Sequence, residues 1–96
     1  MSSVQYSLCS TAGLDAVTDT PDAAAATLVR HLSEAGTSRS VDWMITGPGD
    51  RVHHGRFSPP VVGSSAAAVA DHVDAVHGQL LRDAARLMYV GSPRRR

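Results

Sequence analysis

The chain has 96 residues, with nine basic side chains, nine acidic ones and a formal net charge of zero. That length holds one domain with a single core, and such a balance excludes a global electrostatic pull toward nucleic acid or an anionic membrane. The single cysteine, Cys9, excludes a disulfide within the chain and fits a reducing compartment. All nine basic residues are Arg and eight of the nine acids are Asp, while Lys and Asn are absent. That bias reads as a GC-rich coding background, not a functional choice. Residues 1–5 lack the basic-then-apolar run of a secretory signal, and no apolar stretch approaches spanning length. The expectation is a cytoplasmic protein with no membrane contact. No motif for a cofactor occurs, and none is expected.

In chain order, Val4 to Cys9 alternates apolar and polar residues, as a half-buried strand does. Thr11 to Asp19 has little periodicity; Leu14 and Val17 are expected to cover an edge of the core. Thr20-Pro21-Asp22 is the clearest local signal. Threonine caps a helix, proline suits its first position, and aspartate faces its positive end. The helix continues over Ala23 to Ala35, with Ala24, Ala25, Leu28, Leu32 and Ala35 on one face. Gly36 stands where a left-handed terminating residue belongs.

Val41 to Thr46 alternates without fault, with Val41, Trp43 and Ile45 on one face. Gly47-Pro48-Gly49-Asp50 is a turn by composition, and Arg51 to Phe57 reads as the return strand of a hairpin. Val52 and Phe57 argue for opposite faces, a conflict that a bulge at Gly55 would resolve. Pro59 and Pro60 end the strand, and Val61 and Val62 are expected to staple the entry to a last helix.

That helix spans Ser64 to Val90. Val69, Val73, Val76, Leu80 and Leu87 are spaced as one stripe, Ser64 or Ser65 caps the start, and Gly91 and Pro93 close it. Gly78 lies within it and marks a bend or a close approach. A straight helix of about 25 residues is ~38 Å long, whereas a strand of six spans roughly 20 Å. One small sheet cannot cover such a stripe unless the helix folds back at Gly78.

The expected class is α+β, a two-layer sandwich in the order β-α-β-β-α, with a three-stranded sheet and a long C-terminal helix. Residues 1–91 form the domain and 92–96 a basic, disordered tail. If the first two strands are neighbours, the intervening helix makes a parallel crossover.

The functional expectation follows from the mismatch in length. Leu80, Leu81, Leu87, Met88 and Val90 need a second chain to cover them. The reading is a non-enzymatic protein-interaction module, homodimeric, acting as a regulator, adaptor or inhibitor of another protein. Two alternatives stand beside it. Arg82, Arg86, Arg94, Arg95 and Arg96, with Arg51 and Arg56, could contact nucleic-acid phosphates, although the neutral charge and the few aromatic residues speak against this. A small enzyme or metal protein could use Cys9 or the histidines, but no catalytic residue is assigned. No metal site is expected either. The nearest approach to one is His53, His54, Asp74 and His77, of which Asp74 and His77 lie ~60° apart on one helix face; their spacing matches no metal motif.

Overall fold

The computed structural model describes residues 5–36 and 38–91, with side chains up to residue 86. Strands β1 (Tyr6–Ser10) and β2 (Asp15–Thr18) precede helix α1 (Pro21–Ala35). Strands β3 (Val41–Thr46) and β4 (Val52–Phe57) precede helix α2 (Ser65–Gly91). The four strands form one sheet in the order β2-β1-β3-β4, antiparallel throughout.

The class is therefore α+β as expected, with four strands where three were expected. The additional strand, β2, has only four residues and no buried one. Its pairing with β1 and the packing of α1 against it make it a strand, and neither is visible in local periodicity. This strand also overturns the parallel crossover. It reverses the chain before α1, so β3 returns antiparallel to β1. The turn between β1 and β2 is tied by Ser10, whose Oγ accepts from the Ala12 and Leu14 N–H groups at 3.1 and 3.2 Å. Gly13 supplies the positive φ of 93° that the turn needs.

Helix α1 begins as the sequence implies: Ala23 N–H donates to Thr20 Oγ1 at 3.0 Å, with Pro21 in the first turn. Its end differs. Gly36 has φ −88°, which is not left-handed. A Cβ there would come within 2.7 Å of both the Phe57 ring and the Leu32 carbonyl, so glycine is required by close approach. Strand β4 has no bulge. The register runs unbroken from Thr46↔Val52 to Val41↔Phe57. Gly55 instead leaves room for Trp43, whose indole would stand 2.8 Å from a Cβ. Phe57 wins the face conflict: it is buried and Val52 is exposed. Val61 and Val62 are also exposed and staple nothing.

Both helices cover one face of the sheet, α1 mainly over β1 and β2, α2 over β4. They run antiparallel: Asp22 at the start of α1 meets His77, and Val29 two turns later lies beside Ala70. The core between the layers contains Tyr6, Leu8, Leu28, Leu32, Ile45, Phe57, Val69, Val73, Val76 and Leu80, among others. Helix α2 starts on Ser64, whose Oγ accepts from Ala67 N–H at 3.3 Å. It passes through Gly78 unbroken. A Cβ at Gly78 would meet only the end of the Arg82 side chain, 3.8 Å away, so no backbone crosses there. Among the described residues no helix is long and apolar enough to cross a membrane.

Candidate interaction surface

Helix α2 is held to the sheet by an apolar stripe and by two polar anchors. The stripe is Val69, Val73, Val76 and Leu80, spaced to fall on one side of the helix. The first anchor is His72, whose Nε2 accepts the Trp43 indole N–H at 2.9 Å. The same ring stands edge-on to Trp43 and Phe57, with centroids 5.7 and 5.3 Å apart. Burial holds the His72 imidazole below its usual pKa, in line with a neutral ring that accepts.

The second anchor is His53 on β4. Its Nε2 donates to Asp83 Oδ2 at 2.6 Å, and its Nδ1 lies 3.0 Å from Gln79 Oε1. Arg51 joins Asp83 at 3.4 Å. Burial, and secondarily the Asp83 charge, raises the Tyr6 phenol above its usual range. Both ring nitrogens of His53 thus face α2, and the cluster fastens the helix to β4.

Beyond that point the helix continues. Leu80 is 1% exposed and belongs to the core, not to the outer strip expected for it, whereas Leu81 is 45% exposed. The sheet ladder is at most six residues deep, about 20 Å, while 27 residues of α2 measure ~40 Å. Residues 81–91 account for ~16 Å of that length past the last α2 residue of the core cluster. Leu87, Met88 and Val90 lie in this stretch, but their side chains fall outside the described residues.

The other residues singled out from the sequence are dispersed. His53 and His54 point to opposite faces of the sheet, His53 toward α2 and His54 away from it. Asp74 and His77 lie together as their spacing implies, beside a groove between α1 and α2 of about 300 Å³. There His77 donates to Asp22 Oδ1 at 2.7 Å, over a floor that includes Ala25, Ala26 and Ala70. Among the described residues no three His, Cys, Asp or Glu side chains form a metal-binding group. Cys9 is exposed on the open sheet face, with Met44 between it and His54 in the ladder. Arg82 and Arg86 are exposed on α2, and Arg94, Arg95 and Arg96 fall outside the described residues. Arg56 is bound to Asp42 at 2.6 and 3.1 Å; these bonds hold the Asp42 carboxyl below its usual range.

Sequence reasoning missed the partners of four histidines: His31, His53, His72 and His77. For His31 the chemistry is decided by counting. Ser10 Oγ already accepts from two N–H groups, so its proton goes to His31 Nε2, 2.7 Å away. These bonds tie the β1–β2 turn to α1. No protein-family model, no curated protein and no solved structure matches the chain.

Proposed function

We propose that the protein is a small non-enzymatic interaction module that pairs with a second copy of itself and acts as a regulator, adaptor or inhibitor of another protein. The observation that carries this reading is the unbroken course of α2 past its last core residue, Leu80, with Leu81 left nearly half exposed. An exposed leucine on a helix that runs on past its own core is stabilised when a second apolar surface covers it. A two-fold pair is the simplest closed arrangement, because each copy offers the surface that the other needs.

Size-exclusion chromatography with light scattering at micromolar concentration tests the reading. The expected mass is twice that of the chain, 10.1 kDa. A single-chain mass across the accessible concentration range would overturn the homodimer.

A further inference from the structure

The sheet face turned away from the helices carries a row of donors that the interaction surface does not use. Cys9 on β1 is paired with Met44 on β3, and Met44 is paired with His54 on β4. Side chains of residues directly opposite share a face, and all three of these are exposed, Met44 at 40%.

Backbone hydrogen bonds fix the spacing. Thr11 N–H donates to Asp42 O, two steps along the β1–β3 ladder, which makes Cys9 and Met44 a hydrogen-bonded pair, with Cα atoms about 5.5 Å apart. Gly47 N–H donates to Arg51 O, three steps along the β3–β4 ladder, which makes Met44 and His54 a non-hydrogen-bonded pair, with Cα atoms about 4.5 Å apart. An ion above Met44 therefore has a thiol within one side-chain length on one side and an imidazole on the other.

A solitary exposed thiol would carry no inference. Here the histidines add a second observation. His31, His53, His72 and His77 are each engaged by another side chain. Among the described residues His54 is the one histidine outside such a pair, and it stands in the row with the free thiol and the exposed thioether.

We propose that Cys9, Met44 and His54 bind one soft monovalent cation per chain, Cu(I) in its biological form, in three-coordinate geometry. Thiolate and thioether sulfur select Cu(I) over the harder divalent ions, and imidazole suits copper. Cys9 binds as the thiolate and releases its proton to solvent on binding. The row's one carboxylate, Asp15, sits beyond Cys9 on β2, on the side away from Met44. The three ligands are thus contiguous, two soft sulfurs and an imidazole, with no carboxylate between them.

The test is an anaerobic Cu(I) titration of the reduced full chain against bicinchoninate, with binding counted per chain, so the result stands whichever oligomer forms. One equivalent is expected, and Cys9→Ser should abolish it. Met44→Leu and His54→Gln should each weaken binding by about tenfold or more, at least the cost of losing a partner outside the ligand shell. All three positions face solvent, so far-UV circular dichroism and thermal midpoint should be unchanged. Failure to compete with bicinchoninate would overturn the proposal. So would Met44→Leu and His54→Gln proteins that bind as the parent does, since the thiol alone would then hold the ion. One ion per two chains, bridged by two Cys9 thiolates, would overturn it as well.

Discussion

Replacing His72 with Phe removes the acceptor of the Trp43 indole N–H while keeping an aromatic ring in the angle between Trp43 and Phe57. Trp43 is 4% exposed, so its N–H finds no water in place of the lost bond. A buried donor left unsatisfied costs about 1–3 kcal/mol. For a domain of this size each 1 kcal/mol lowers the thermal midpoint by roughly 4–8 °C. The pH dependence separates this mechanism from a packing defect. His72 has a folded-state pKa below the usual histidine value of 6.5. Between those two values the unfolded chain takes up a proton that the folded chain refuses, so stability is full above 6.5 and falls as the pH drops toward the folded-state value. The His72→Phe protein lacks that component. Chemical denaturation of both proteins from pH 8 to pH 5, followed by tryptophan fluorescence, should show curves that converge on the acid side. A constant gap across the range, or a parent protein that gains stability on acidification relative to the variant, would refute the argument.

Glycine substitutions offer a matched contrast. Gly78→Ala should stabilise the protein by up to about 1 kcal/mol in urea, because alanine is the better helix former and meets only a side-chain end at 3.8 Å. Gly55→Ala should destabilise it by roughly 1–3 kcal/mol, because its Cβ would press the Trp43 indole at 2.8 Å. Leu80→Ala should cost about 2–5 kcal/mol of folding stability, whereas Leu81→Ala, measured at concentrations low enough for a single chain, should fall within about 0.5 kcal/mol of the parent.

The legible parts of the fold are those in which local chemistry and burial agree. Thr20-Pro21-Asp22 announces the start of α1, and the alternation of Val41, Trp43 and Ile45 identifies the buried face of β3 over its full length. The stripe of Val69, Val73, Val76 and Leu80 marks the seam of α2. The parts that were not legible depend on distant residues. Asp15–Thr18 becomes a strand only against β1 and under α1, and without it the sheet's direction is misread. Gly36 and Gly55 look like punctuation in the sequence, yet each is set by an aromatic ring from another element. The candidate surface was partly legible. The excess length of α2 follows from counting residues, but the burial of Leu80 depends on where the sheet ends beneath the helix. The Cys9–Met44–His54 row could not be read at all, because it requires the register of three strands.

Sedimentation equilibrium of the parent protein beside Leu81→Asp, at matched micromolar concentrations, bears most directly on the account. The exposed position of Leu81 predicts that the charge leaves each chain folded, with circular dichroism unchanged, and moves the parent's two-chain mass toward one. A parent that sediments as a single chain, or a Leu81→Asp protein that remains fully paired, would contradict it.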